Sequence, residues 1–309
     1  MIARTDIAAA AARIAPFVRR TPVVETGPLP GSGLRATLKL ELLQHTGSFK
    51  PRGAFNRLLT ADIPAAGAIA ASGGNHGAAV AYAARALGVP AEIYVPAATP
   101  AAKTARIASY GAHIAQDGAA YADALAACLA RQAETGALNV HAYDQTEVLA
   151  GQGTVGREFE QDAPDLTHVL VAVGGGGLIG GIAAWYAGSA AVVAVEPEGC
   201  PTLHTALRMG QPVDCPVSGL AADALGARRV GAAMFPIAQR FVADSVLVTD
   251  EAIAAAQRFL WDQLRLIAEP GGAAALAALL SGRFVPPTGA RVGVVVCGGN
   301  TDPGKVLSI

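Results

Sequence analysis

Two patterns alternate along the chain. Short unbroken apolar runs end at glycine. Longer stretches follow in which apolar positions recur at helical spacing. Unbroken runs read as strands buried on both faces, and the periodic stretches as helices that cover them. Met1 to Pro16 predicts a short amphipathic helix capped by Thr5 or Asp6. Thr21-Pro22-Val23-Val24 leads in to a strand at Thr37–Glu41. A helix from about Phe49 to Leu59 follows, with Ser48 as its cap and Pro51 in its first turn.

A second unit opens near Ala66, with a strand at Ala68–Ala71, a loop at Ser72–Gly77 and a helix from about Ala78 to Leu87. A strand at Ile93–Val95, a helix at Ala101–Tyr110, a weak strand at Ala112–Ala115, a helix at Tyr121–Glu134 and a strand near Val140 complete it. The chain then turns at Gly151-Gln152-Gly153 and enters a helix. Strands follow at Val169–Val173, Val192–Val195, Val246–Val248 and Val292–Val296. The helix after Asp250 buries Ile253, Phe259 or Leu260, and Leu264, while Ala273–Leu280 is apolar all round and lies against a sheet. This alternation predicts an α/β protein with open, doubly wound, mostly parallel sheets.

Composition narrows the function classes. Of 309 residues, 52% are hydrophobic and 15% charged, and the net charge is -1. That supports a large core and gives no footprint for nucleic acid or an anionic membrane. Val169 to Val195 carries no charge and has the length of a membrane span, but the glycines at 174–177, 180 and 181 break it into strand, turn, helix and strand. Cys128, Cys200, Cys215 and Cys297 form no Cys-x-x-Cys pair, and the start lacks the apolar core of a signal peptide. The expectation is a reducing cytoplasm.

Candidate chemistry sits in four turns. Gly47-Ser48-Phe49-Lys50-Pro51-Arg52-Gly53 places a lone lysine at a helix start. There the helix dipole disfavours its ammonium form and exposes an amine able to form a Schiff base. Ser72-Gly73-Gly74-Asn75, Gly174-Gly175-Gly176-Gly177 and Cys297-Gly298-Gly299-Asn300 each follow a buried strand and precede a helix. Such turns lie where open parallel sheets bind ligands, and the four-glycine turn is the strongest phosphate cradle. A rival reading takes Gly175-x-Gly177-x-x-Gly180, with Glu196 ending the next strand, as a dinucleotide fingerprint of a nucleotide-binding α/β protein. It leaves the lysine turn and the other two loops without a role.

From Thr21 to Asp302 these motifs, in this order, resemble the pyridoxal-phosphate enzymes of the tryptophan synthase β-like fold (fold type II). Within that group the chain is most similar to the serine/threonine dehydratase and serine racemase family. The resemblance implies a large domain of residues 1–60 plus 146–309, a small mobile domain of residues 61–145, and pyridoxal 5'-phosphate in the cleft between them. It implies that Lys50 holds the cofactor and later takes the Cα proton. Phe49 packs on the ring, Asn75 bonds the ring hydroxyl, and Gly174, Gly175, Gly176 and Gly177 hold the phosphate through main-chain N–H groups. Cys297 stands where the family places a neutral partner for the ring nitrogen. Ser72, Gly73, Gly74, Asn75 and His76 grip the substrate carboxylate.

The activity implied is a dehydratase, or ammonia-lyase. It eliminates the β-hydroxyl of a threonine- or serine-like L-amino acid and yields a 2-oxo acid and ammonia. A bulkier substrate of the phenylserine or hydroxyaspartate type, a serine racemase, a β-replacement synthase and a non-catalytic ligand-binding relative are the alternatives. A homodimer is a further implication. Racemases of the group carry a serine directly after the position of Ser72, where this chain has Gly73, which favours elimination. Some relatives bind a divalent cation through a glutamate and an aspartate six residues on. Here Glu196 is followed at that spacing by Thr202, and no metal is expected. Ala222-Asp223-Ala224 replaces the family's Ala-Asp-Gly.

Overall fold

A computed structural model describes residues 1–308. The strands are β1 (Val23–Glu25), β2 (Ala36–Lys39), β3 (Ala68–Ala71), β4 (Ala91–Val95), β5 (His113–Gln116) and β6 (Leu138–Asn139). They continue with β7 (His168–Ala172), β8 (Ala191–Pro197), β9 (Val242–Val248) and β10 (Val292–Val295). Two sheets result, ordered β1-β2-β10-β7-β8-β9 and β5-β4-β3-β6. Between the strands of the described residues, only the β1–β2 pairing is antiparallel. The four-stranded sheet is one continuous stretch of chain inserted between β2 and β7, so the six-stranded sheet is discontinuous in sequence.

The helices that matter for the site are α1 (Arg4–Ile14), α2 (Lys50–Leu59), α3 (Asn75–Ala86), α4 (Ala101–Ser109), α5 (Tyr121–Thr135), α6 (Thr146–Asp162), α7 (Gly177–Tyr186) and α8 (Thr202–Met209). Asp6 closes the start of α1 from its third position by accepting from Ala3 N at 2.8 Å, and Thr5 takes no part. The uncharged Val169–Val195 stretch falls in β7, the four-glycine turn, α7 and β8, and among the described residues no helix is long and apolar enough to cross a membrane. The helix Asp250–Leu264 buries Ile253, Ala256, Gln257 and Leu260, leaving Phe259 and Leu264 half-buried. The helix Pro270–Leu280 is buried from Gly271 to Leu279 and packs on β7, β8, β9 and β10.

Three expectations change. Gly151-Gln152-Gly153 is no turn but lies inside α6. A Cβ at Gly151 would lie 2.5 Å from Arg52 O, and one at Gly153 would lie 2.9 Å from Gly181 O. These glycines let α6 meet α2 and α7 backbone to backbone, a tertiary gain that outweighs a propensity cost of about 1 kcal/mol each. The helix after the Ser72 loop starts at Asn75, three residues before the expected Ala78, so Asn75 and His76 lie in its first turn. Ser48 does not cap α2. Phe49 occupies the cap position, and the buried Ser48 hydroxyl meets no partner among the described residues.

The lysine turn is held from beneath by charge. The Arg52 side chain is fully buried. It donates from Nε and one terminal nitrogen to the two Glu41 oxygens, both at 2.8 Å, and to both Glu158 oxygens at 2.8 Å. Lys39, also fully buried, reaches Glu158 at 3.0 Å, Asp162 at 3.0 Å and Thr21 O at 2.7 Å. This network ties β2, α2 and α6 together two residues from Lys50. Removing one partner of such a network strands the other buried charges. Arg52→Ala is therefore expected to destabilise the protein by about 3–5 kcal/mol, read from urea unfolding, and Arg52→Lys to recover less than half, since an ammonium has three donors and no planar fork to pair with both oxygens of each carboxylate.

Candidate active site

Four turns meet at the carboxyl ends of β2, β3, β7 and β10, where the expected ligand crevice lies. The lysine turn is zipped to the turn after β10. Ser48 and Gly298 form an isolated antiparallel bridge, Phe49 N donates to Cys297 O at 3.2 Å, and Gly299 N donates to Gly47 O at 2.9 Å. Thr46, just before it, has φ +59°, a left-handed conformation that costs a β-branched residue about 1 kcal/mol or more. Its carbonyl accepts from Asn300 Nδ2 at 2.7 Å and Arg106 at 3.1 Å, which hold it there.

Lys50 is the first residue of α2. Its Nζ donates to Ala142 O at 2.8 Å and lies 5.1 Å from the centre of the Phe49 ring. Burial pushes its pKa down to about 8 from an ordinary 10.5, against the opposing pull of Cys297 and Glu269. The free amine is thus within reach near neutral pH, as that of an ordinary lysine is not. Cys297 is buried, its Sγ–H donates to Gly271 O at 3.4 Å, and burial pushes its thiol far up, so it stays a neutral thiol.

The Ser72 loop belongs to the four-stranded unit. Ser72 Oγ accepts from Gly74 N at 3.2 Å, and Gly73 packs on Thr99, so that a Cβ there would lie 2.8 Å from Thr99 Cγ2. His76 is buried, its Nε2 donates to Val140 O at 2.7 Å, and burial pushes it down to about 3. It is neutral and its ring is committed to the backbone, while the main chain around it forms the start of α3. Asn75 bridges two partners. Its Nδ2 donates to Glu269 Oε1 and its Oδ1 accepts from Asn300 Nδ2, both at 2.6 Å.

Gly174, Gly175 and Gly176 form the turn before α7, and their N–H groups meet no acceptor among the described residues. Side chains are excluded there. A Cβ at Gly175 would lie 2.2 Å from the Tyr143 ring, one at Gly176 would lie 2.5 Å from Met234 Cε, and Gly176 has φ +89°. The turn is braced from behind: Thr202 Oγ1 donates to Gly174 O at 2.8 Å, and Gly231 N donates to Gly175 O at 3.0 Å. Glu196, next to last in β8, accepts from Leu203 N and His204 N, both at 2.7 Å, which fixes the start of α8.

The comparisons with known proteins agree with this geometry. Residues 14–298 match the family described as pyridoxal-phosphate dependent enzyme. The chain belongs to that family. An L-threonine ammonia-lyase of Geobacter sulfurreducens is 39% identical over 315 residues, covering 100% of this chain and 78% of the relative. A phenylserine dehydratase of Ralstonia pickettii is 38% identical, covering 96% of this chain and 92% of the relative. Maize serine racemase superposes with a TM-score of 0.92 at 34% identity, covering 99% of this chain and 96% of the other. These fold type II neighbours also decide against the dinucleotide reading of Gly175–Gly180.

The residues present suit the family's cofactor. Unpaired N–H groups in a side-chain-free turn at a helix start match a phosphate. A half-buried amine at about 8 matches a carbonyl group. A neutral thiol and a carboxamide suit the ring.

Sequence reasoning missed Glu269. It is 6% exposed, and its Oε1 accepts from Asn75. Burial pushes its carboxyl up to about 7. The only signal was an acid just before Pro270-Gly271-Gly272 in an otherwise apolar stretch. The folded protein holds this proton up to about 7, while the unfolded chain releases it at an ordinary 4.5. Stability is therefore lost as pH rises across that window, by up to about 3 kcal/mol, and stays lost above it. Glu269→Gln keeps an acceptor for Asn75 and removes this loss. Unfolding of the cofactor-free proteins at about pH 5 and about pH 8 is expected to show the variant gaining on the parent at the higher pH. An equal difference at both would refute the raised carboxyl.

Proposed function

We propose that this enzyme is a dehydratase (a carbon–oxygen lyase) that removes the β-hydroxyl of a threonine- or serine-like L-amino acid and releases a 2-oxo acid and ammonia. Relatives at 35–39% identity are named L-threonine ammonia-lyase, phenylserine dehydratase, serine racemase and L-threo-3-hydroxyaspartate ammonia-lyase. The observation that carries the reading is the Lys50 amine, lowered to about 8, in one crevice with three glycine turns.

Lys50 Nζ would hold pyridoxal phosphate, Gly174–Gly177 its phosphate, Asn75 its ring hydroxyl, Cys297 its ring nitrogen, and Phe49 one face of the ring. Bound there, the cofactor supplies an electron sink for the pair left when Cα loses its proton. The rest falls to the chain. Main-chain donors of the Ser72–His76 loop bind the substrate carboxylate at the start of α3, which supports a four-stranded unit (within residues 61–145) that closes on the remainder of the chain. Closure excludes water and sets the Cα–H towards Lys50. Lys50 Nζ, freed by the incoming amine, takes that proton, and its lowered pKa lets it act as a base near neutral pH. Loss of the hydroxyl as water and hydrolysis of the remaining carbon–nitrogen bond give the products.

Elimination is favoured over racemisation by the packing at Gly73. A serine there would need Thr99 to move, since its Cβ would fall 2.8 Å from Thr99 Cγ2. No other second base stands in the Ser72 loop, because the His76 ring is turned to Val140. A homodimer in the cytoplasm completes the proposal.

The test is a visible spectrum of the purified protein with pyridoxal phosphate, before and after L-threonine, L-serine, 3-phenylserine or 3-hydroxyaspartate, with 2-oxo acid assayed alongside. A coloured protein that forms 2-oxo acid from the first two supports the proposal. Product from the bulkier acids alone moves the substrate to that class, and a colourless protein refutes the site. Lys50→Ala is expected to lose the covalent colour and to lower turnover by about 10³-fold or more. Chiral analysis of recovered L-serine is expected to show no D-enantiomer.

A further inference from the structure

Helix α4 reaches the site through one side chain. Arg106 donates from one terminal nitrogen to Asn300 Oδ1 and from the other to Thr46 O at 3.1 Å. Asn300 Nδ2 donates to the same Thr46 O at 2.7 Å and to Asn75 Oδ1 at 2.6 Å. Asn300 and Thr46 belong to the turns of the six-stranded side. Arg106 and Asn75 come from the four-stranded side and grip Asn300 together.

Donor and acceptor logic fixes every amide in this chain. A guanidinium only donates and a backbone carbonyl only accepts. Asn300 therefore has one orientation that serves both, with Oδ1 towards Arg106 and Nδ2 towards Thr46 O. That orientation presents an N–H to Asn75, so Asn75 must turn its Oδ1 to Asn300. Its Nδ2 then faces the other way, with one hydrogen on Glu269 and one left for a ligand oxygen. Glu269 does not impose this alone. Its carboxyl, pushed up to about 7 by burial, can donate as well as accept when protonated and then tolerates either face of the amide.

We propose that Arg106 is a positioning residue. By docking onto Asn300 and Thr46 when the four-stranded unit closes, it locks the Asn75 amide with a free N–H towards the cofactor. This rests on the reading of Asn75 as a cofactor partner and extends it to a residue outside the crevice. Lys103, on the same helix, provides the contrast. It crosses the same junction to pair with Asp223, whose side chain is 74% exposed, and has no hydrogen-bond path to Asn75. If α4 mattered only as a surface bridge, the two cations would be equivalent.

The test compares the holoenzyme of the parent with Arg106→Met, Arg106→Lys, Asn300→Ala, the Arg106→Met/Asn300→Ala double variant, and Lys103→Met. The readouts are the dissociation constant of pyridoxal phosphate without substrate, the visible spectrum of the bound cofactor, and kcat and KM separately. Losing a charge-assisted bond that orients the amide is expected to weaken cofactor binding roughly tenfold. It should also alter the ratio of the visible bands and lower kcat more than it raises KM. Asn300→Ala should do the same, and the double variant should be no worse than either single one. Arg106→Lys, which keeps the charge but replaces the two separate terminal nitrogens that reach Asn300 Oδ1 and Thr46 O by a single one, should follow Arg106→Met. Should Arg106→Met fail to fold, Arg106→Lys carries the test. Lys103→Met should keep the parent's spectrum and cofactor affinity. Parent-like affinity and bands in the Arg106 variants overturn the proposal, as do additive losses in the double variant or equal losses in Lys103→Met. A parent that binds no pyridoxal phosphate would instead overturn the function, and this inference with it.

Discussion

The Arg52 guanidinium is the constraint on which the site depends. It is fully buried and saturated by two carboxylates, Glu41 from the turn after β2 and Glu158 from α6. A charge in that position has few tolerable arrangements, because each unmet donor costs desolvation with no return. It therefore fixes the angle at which α2 leaves the six-stranded sheet, and with it the place of Lys50 two residues earlier. The turn after β10 is bridged to the same segment through Ser48 and Gly298, and Glu269 N donates to Gly298 O at 3.1 Å. Lys50, Cys297 and Glu269 are thus placed by one interlocked stretch of backbone.

The electrostatics of the crevice follow a single rule. Burial pushes the Lys50 amine down to about 8, His76 to about 3 and Glu269 up to about 7, and it holds Cys297 as a thiol. Each shift moves a titratable group towards its neutral form. Less charge is then built into the crevice than four ordinary titratable groups would carry. Backbone N–H groups of Gly174–Gly176 are left free to donate there, and a dipole bound to the fold needs no counter-charge that could bind in the wrong place.

The same physics explains what the sequence revealed. Glycine turns were legible because a strand end, a run without Cβ atoms and a helix start leave a local signature, and all three turns lie where expected. Gly151 and Gly153 were misread because glycine marks both a turn and a close helix crossing. Only the partners, Arg52 O and Gly181 O, tell them apart, and those are remote in sequence. Ser48 was misread as a cap because cap propensity is local, whereas its bridge to Gly298 is not. Asn300 stood in a recognised motif, but Glu269 and Arg106 had no local mark, since their roles exist only once α4 and the turn after β10 meet.

Cys297 joins the turn after β10 to the helix Pro270–Leu280. Its Sγ–H is taken up by Gly271 O, a carbonyl at the start of the helix Pro270–Leu280. What it can turn to the crevice is sulfur lone pairs of a neutral thiol, a weak acceptor. If the cofactor's ring nitrogen sits there, as proposed, a carboxylate in that place would hold it protonated and stabilise a long-lived charge at Cα. A neutral thiol would do so less, which would suit a reaction whose leaving group departs before much charge accumulates. A β-hydroxyl allows that course. On that proposal the thiol at 297 is compatible with elimination, and it is Gly73, packed on Thr99, that withholds the second base racemisation needs.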